Sequence, residues 1–276
     1  MQVVTTIEEV RAARRQWAEV GFVPTMGFLH AGHLSLVQQA KAENGVSIAS
    51  IFVNPTQFGP NEDFASYPRD TPRDLALLEA AGCDLVWMPS VEEIYPAGFS
   101  SYVEVEGVTA PLEGARRPGH FRGVATVVTK LFNVVQPTKA YFGQKDAQQT
   151  VVIRQFVRDL AMPVEVVIAP TIREADGLAM SSRNSYLNAE QRAAAPVLYR
   201  ALTAAQTAYV AGQTDAEAIR QLMLETLAQE PLAQIDYVSI ADPRSLQELT
   251  TIDQQGALVS LAVRIGKTRL IDNLVM

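Results

Sequence analysis

Apolar and polar positions alternate along the first two-thirds of the chain with two different periods. Runs with little polar interruption at 20–25 (VGFVPT), 47–54 (SIASIFVN), 84–89 (DLVWMP), 139–143 (KAYFG) and 164–170 (VEVVIAP) predict strands. Between them, apolar residues recur at helical spacing over 33–43, 71–82, 123–135 and 147–160. Thr71 followed by Pro72 predicts an N-cap with proline at the first helical position, and Gly82 closes that helix. Strands that are apolar throughout, separated by helices, imply a parallel sheet covered on both faces. The expected fold is α/β, a Rossmann-like doubly wound sheet that takes ligands beyond the carboxyl ends of its strands.

The pattern breaks at 171–188 (TIREADGLAMSSRNSYLN), a polar stretch without clear period and the place for a hinge. Helical spacing returns over 189–211 and 215–229, followed by strand-like runs at 235–242, 257–266 and 268–276. The last two read as a hairpin about Gly266-Lys267. This predicts a smaller C-terminal α+β domain, with the division between 1–173 and 174–276.

Composition narrows the function. The chain has 276 residues and a formal charge of −7, which argues against a nucleic-acid partner, since phosphate contacts demand a basic surface. Cys83 is the single cysteine, so neither an intramolecular disulfide nor a cysteine zinc site is expected. The N-terminus is amphipathic and charged rather than leader-like, and no apolar window suits a membrane span. A cytoplasmic protein is expected.

Five stretches carry candidate chemistry. PTMGFLHAGHLSLV (24–37) holds two of the three histidines, His30 and His33, where a helix begins. Residues three apart share a helix face, here beside first-turn N–H groups and the positive end of the dipole. Gly27 and Gly32 let a ligand approach the backbone, so the stretch suits a triphosphate; surface histidines or a zinc half-site are the alternatives. DGLAMSSRN (176–184) offers the Ser181 and Ser182 hydroxyls and the Arg183 guanidinium, or is an ordinary solvated loop. In YFGQKDAQQ (141–149), Gly143 permits a tight turn, Lys145 supplies a charge for phosphate, and Asp146 could bind a ribose hydroxyl or Mg²⁺. Asp146 and Gln149 would equally cap the next helix. Asn54 and Gln57, in NPTQ, put uncharged amides after the second strand, suited to a hydroxylated acid or simply to a turn. In RRPGHFRGV (116–124), His120 and Arg122 could meet phosphate or cap a helix starting near Gly123. The P-loop, dinucleotide and nucleophile-elbow fingerprints are missing.

HAGH (30–33) is similar to the H-I-G-H signature of the nucleotidylyltransferase superfamily, and MSSR (180–183) to its K-M-S-K-S counterpart. The longer strings VPTMGFLHAGHLSLV, IFVNPTQFGPNEDFASYPRD, PGHFRGVATVVTKLFNVVQP, YFGQKDAQQ and READGLAMSSRNSYL resemble the pantoate–β-alanine ligase (pantothenate synthetase) family, in order and over nearly the whole chain. The resemblance implies ATP-dependent condensation of (R)-pantoate with β-alanine through a pantoyl adenylate, giving pantothenate, AMP and diphosphate. It also implies Mg²⁺, whose ligands it leaves unnamed, a C-terminal lid and a homodimer. Carried over by residue, Met26, Gly27, Phe28, Leu29, His30, Ala31, Gly32 and His33 would contact ATP, with His33 as proton donor. Gly143, Gln144, Lys145, Asp146, Ile172, Met180, Ser181, Ser182 and Arg183 would complete the nucleotide site. His30, His33, Lys145, Ser181, Ser182 and Arg183 would stabilise the crowded phosphorus, and Gln57, Gln149 and Asn54 would serve the organic substrates. Gln144 stands where many members carry glutamate. The competing readings are a transferase that stops after nucleotidyl transfer and a non-catalytic nucleotide sensor.

Overall fold

The structure is a computed structural model that describes residues 1–60 and 62–276. In the first two-thirds, strands and helices alternate as β1 (Gln2–Val4), α1 (Ile7–Arg14), β2 (Gly21–Thr25), α2 (Ala31–Asn44), β3 (Ser47–Ile51), α3 (Thr71–Ala80) and β4 (Leu85–Trp87). They continue as α4 (Val91–Ile94), α5 (Glu113–Arg116), α6 (His120–Val135), β5 (Lys139–Gly143), α7 (Ala147–Asp159) and β6 (Glu165–Ala169). The remainder comprises α8 (Ala189–Ala194), α9 (Val197–Val210), α10 (Ala216–Ala228), β7 (Ala233–Ala241), β8 (Leu258–Ile265) and β9 (Thr268–Val275). Two compact units result: Met1–Gly143 with Gln149–Pro170, and Gln144–Gln148 with Thr171–Met276.

The first unit is built on a six-stranded sheet of order β1-β4-β3-β2-β5-β6, parallel throughout. Successive side chains of a strand face opposite sides. Thus Val23 of β2 joins Leu29, Val37, Ala40 and Leu78 in one core. Its neighbour Phe22 meets Phe132 of α6 edge-on at 6.4 Å. Both Phe22 and Val23 are fully buried, each contributing about 1.5–3 kcal/mol by area removed from water. The doubly wound sheet inferred from the apolar runs is present, with details shifted. The second of the predicted strands, β3, ends at Ile51, three residues before Asn54. The cap of α3 is Asp70, whose carboxylate accepts from the Arg73 N–H at 3.2 Å, one residue before the Thr71 expected. Helix α6 starts at His120 rather than near 123, after Gly119 takes a left-handed turn. Strand β1 is only three residues long and has no alternation to read.

The second unit is the smaller α+β domain. Strands β7, β8 and β9 form an antiparallel sheet, with the β8–β9 hairpin turning at Gly266-Lys267. Leu198 and Leu202 of α9 and Ile219, Met223 and Leu227 of α10 pack with Ile240, Leu261 and Val263 of the sheet. The helical stretch 189–211 is two helices, broken at Pro196, which supplies no N–H to the ladder. Residues 144–148, which strand–helix alternation groups with the preceding sheet, pack with this unit, and its remaining chain begins at Thr171. Among the described residues, no helix is long and apolar enough to cross a membrane.

Candidate active site

In the first unit, β2 lies between β3 and β5, and the chain winds outward from it in both directions. Such a reversal of strand order opens a crevice at the carboxyl ends. The loop leaving β2 carries the histidines and is held from beneath. Gly27 and Phe28 have φ of +83° and +50°, which turns successive N–H groups inward. Asp74 of α3, 1% exposed, accepts from the Phe28 N–H at 2.6 Å and the Leu29 N–H at 2.7 Å. Thr25 Oγ1 accepts from the Gly27 N–H at 3.2 Å. The His30 N–H donates to His33 Nδ1 at 3.4 Å. The N–H groups of Gly27, Phe28, Leu29 and His30 thus all have partners, within β2, α2 and α3. Ala31 and Gly32 supply the first-turn orphan donors of α2.

The same contact sets the chemistry of His33. An Nδ1 that accepts leaves the proton of the neutral ring on Nε2, so His33 presents an N–H away from its own backbone. The His30 and His33 rings lie 4.0 Å apart between centroids, inclined by 33°, and both side chains are half-buried.

Asn54 and Gln57 form a second device. Asn54 is 1% exposed, and both ends of its amide are engaged. Its Oδ1 accepts from the Thr56 N–H (3.3 Å), Thr56 Oγ1 (2.9 Å) and the Tyr95 hydroxyl (2.8 Å). Its Nδ2 donates to the Gly123 carbonyl (3.2 Å) and to Gln57 Oε1 (3.0 Å). Burial raises the Tyr95 phenol above its ordinary range, so it stays a donor. With Oε1 occupied, Gln57 presents Nε2, which lies 3.2 Å from Met26 Sδ, a weak acceptor that a carboxylate would outcompete. Gly123 permits the close approach of α6: a Cβ there would lie 2.5 Å from the Thr56 carbonyl oxygen.

His120 supports Gln57 from behind. Burial, then the neighbouring Arg117 charge, push its pKa down to about 4, so the ring is neutral. Its Nε2 accepts from Arg117 Nη1 (3.1 Å), which leaves Nδ1–H to donate to the Gln57 carbonyl (2.9 Å). Arg117 in turn forms a fork onto Glu62 at 2.6 and 2.7 Å. Arg122 stacks on Tyr102 at 3.8 Å. The basic run at 116–124 is thus committed within the unit. A cavity of about 280 Å³ at the carboxyl ends of β2, β3 and β4 is lined by Met26 and Gly27 of the histidine loop and by Arg69, Asp70 and Ser90; Arg69 donates to the Tyr67 and Phe64 carbonyls, and Asp70 and Ser90 cap helices. Gln149 is half-buried in the first turn of α7.

The second unit gathers the other candidates on one strand. The turn Gln144–Asp146 and the turn Ser182–Tyr186 both pack against β9. Lys145 Nζ lies 3.7 Å from Asp146 Oδ1. Gln144 uses its Nε2 to reach Asn273 Oδ1 at 3.0 Å, a structural pairing that needs no charge at position 144. The stretch 171–188 has more structure than its composition suggests. Glu174 and Leu178 close a tight turn, Arg173 bridges to Ala179, and the Met180 N–H donates to the Ile172 carbonyl at 3.0 Å. Arg192 ties Glu174 and Asp176, both at 2.6 Å. Ser181 Oγ accepts from the Arg183 N–H at 3.2 Å, and Ser182 is buried.

Residues 2–275 match the family model described as pantoate-beta-alanine ligase. The chain belongs to the pantoate–β-alanine ligase family. It is 98% identical over 276 residues, all of both chains, to the pantothenate synthetase of Herpetosiphon aurantiacus. It is 67% identical to that of Chloroflexus aurantiacus, over 99% of this chain and 97% of the relative. The crystal structure of the Thermus thermophilus pantothenate synthetase superposes with a TM-score of 0.95 at 54% identity, covering 99% of each chain. The Francisella tularensis pantoate–β-alanine ligase, solved in complex with β-γ ATP and β-alanine, superposes at 0.81 with 36% identity, over 100% of this chain and 97% of that one.

For a ligase of this family, reading residues one at a time overlooks the supports. Asp74, Tyr95, Asp272 and Asn273 lie 41 to 129 positions from the groups they hold, and no local spacing marks them. The one available signal was an acidic residue inside the apolar face of α3, at Asp74.

Proposed function

We propose that this chain condenses (R)-pantoate with β-alanine at the expense of ATP, through a pantoyl adenylate, and that the residues assembled above perform it. The observation that carries the reading is the Gln57 amide, whose Oε1 is held by Asn54 so that Nε2 is presented beside Met26 of the histidine loop. The first step needs no general base, because the pantoate carboxylate is ionised near neutral pH. A carboxylate oxygen attacks the α-phosphorus in line, and the bond to the β-phosphate oxygen breaks, releasing diphosphate. Fixed donors stabilise the charge that builds on the phosphoryl oxygens without reorganising, the role proposed for His33 and His30, with Lys145, Ser181, Ser182 and Arg183 assigned to the nucleotide phosphates. Gln57 orients pantoate, Asn54 orients Gln57, and Gln149 serves the same substrate. In the second step the β-alanine amine, after losing a proton to solvent, attacks the acyl carbon; the acyl–oxygen bond breaks, AMP departs with that oxygen, and the new amide nitrogen gives up its extra proton to solvent. The Francisella tularensis ligase, solved with β-γ ATP and β-alanine, supports ATP and β-alanine as substrates of the overall reaction.

Among the described residues, no three metal-ligating side chains converge. We propose that Mg²⁺ is held largely by nucleotide phosphates and water, with Asp146 the carboxylate in the Lys145 turn. Bound there, the ion would neutralise the triphosphate charge. We extend the proposal to a cytoplasmic homodimer, checked by light scattering of the purified protein. The reaction is tested by incubating the protein with ATP, Mg²⁺ and (R)-pantoate, with and without β-alanine. The reading expects AMP and pantothenate to accumulate only with β-alanine present; ADP in place of AMP overturns it.

A further inference from the structure

The turn that carries Lys145 is held by a residue more than a hundred positions away. Asn273 on β9, 3% exposed, donates through Nδ2 to the Gln144 carbonyl at 3.0 Å and to the Lys145 carbonyl at 2.9 Å. Two carbonyl partners on one nitrogen fix the orientation of the amide, so its oxygen faces the Gln144 side chain, which donates to it at 3.0 Å. The two bonded carbonyls flank the Cα of Lys145, so the clamp acts on the backbone from which the lysine side chain projects. An aspartate of the same shape would set carboxylate oxygen against carbonyl oxygen and could not close this clamp.

The preceding residue braces the neighbouring turn. Asp272, also 3% exposed, accepts from both terminal nitrogens of Arg173 at 2.6 and 2.9 Å. Arg173 donates onward to the Gly177 carbonyl at 3.0 Å and bridges to Ala179, the residue before Met180. One strand near the end of the chain therefore supports both phosphate-binding candidates of this unit.

We infer that Asn273 is a positioning residue for Lys145, setting where its ammonium group meets the nucleotide. The inference rests on the proposed ligase reading for the role of Lys145. Misplacement of a binding group by about 1 Å costs on the order of 10²-fold in rate, whereas loss of a remote structural contact leaves substrate-specific constants alone.

The test compares wild type, Asn273→Asp, Asn273→Ala, Lys145→Ala and the double variant Asn273→Asp/Lys145→Ala. The expected result for Asn273→Asp is a kcat/KM for ATP lower by about 10- to 100-fold, with the KM for β-alanine within about twofold of wild type. In the Lys145→Ala background the same change should cost less than about twofold, because its effect passes through the missing ammonium. Multiplicative losses, or an unchanged constant for ATP in both Asn273 variants, would overturn the inference. The rise in melting temperature on adding ATP supplies a readout independent of turnover and separates the two claims. A wild type that forms no AMP sinks the ligase reading, yet Asn273→Asp should still bind ATP at least about fivefold more weakly. Equal ATP-induced shifts in wild type and Asn273→Asp would sink the inference alone. If Asn273→Ala fails to fold, the near-isosteric Asn273→Asp carries the comparison.

Discussion

The buried carboxylate beneath the histidine loop invites the most direct perturbation. Asp74 is 1% exposed and accepts two backbone N–H groups at 2.6 and 2.7 Å, with Arg73 Nη1 3.8 Å away. Asp74→Asn keeps the shape and one acceptor but turns the other oxygen into a donor facing an N–H. One charge-assisted bond is lost and one buried donor is stranded, a cost of about 2 kcal/mol. For a chain of 276 residues that corresponds to a melting point lower by about 3–4 °C, read by calorimetry. Asp74→Ala strands both donors and should cost about twice as much. The Phe28 and Leu29 N–H groups precede His30 directly, so the damage should also reach chemistry. In the Asn variant kcat is expected to fall by about tenfold or more, as loop geometry relaxes, with little change in the KM for β-alanine. Hydrogen exchange locates the cause: the Phe28 and Leu29 amides, protected in wild type, should exchange faster in the variant. An Asp74→Asn protein with unchanged melting point, unchanged kcat and unchanged exchange at these two amides would refute the clamp.

Three further predictions follow from the same geometry. His33→Ala should leave the melting point within about 2 °C while lowering kcat by about 10²-fold or more; a near-normal rate in the folded variant removes His33 from the reaction. Asn54→Ala frees Gln57 Oε1 and should raise the KM for (R)-pantoate by about tenfold, with the KM for ATP nearly constant, measured by steady-state kinetics. His120 should make folding acid-sensitive. Its folded pKa, pushed down to about 4 by burial and Arg117, lies below the ordinary value of 6.5, so the unfolded chain binds more protons in that window. The contribution of about 3 kcal/mol is fully present above pH 6.5 and is lost as pH falls toward 4. The slope of melting temperature against pH between these limits should flatten in His120→Gln, and an identical slope would contradict the assignment.

The sheet was legible because its strands are apolar on both faces, as at Phe22-Val23 and Leu85–Trp87, which only a doubly covered sheet requires. The motifs at His30–His33, Lys145 and Ser181–Arg183 were legible because each is local in sequence. What holds them was not. Asp74, His120 and Asn273 act through contacts spanning 45, 63 and 128 positions, and a single sequence encodes such pairs without marking them. The N-cap of α3 slipped by one residue because Asp70 and Thr71 are both good caps, and only geometry chose Asp70. The stretch 171–188 looked like open loop because ion pairs and side-chain caps, rather than a periodic apolar face, give it shape.

The central claim is that the pantoate carboxylate attacks the α-phosphorus and that AMP later carries one of its oxygens away. (R)-Pantoate labelled with ¹⁸O in both carboxylate oxygens, turned over with ATP and β-alanine, tests it by mass spectrometry of the nucleotide product. The account predicts one labelled oxygen in AMP and one in the amide of pantothenate. Unlabelled AMP, or label in inorganic phosphate alongside ADP, would contradict it.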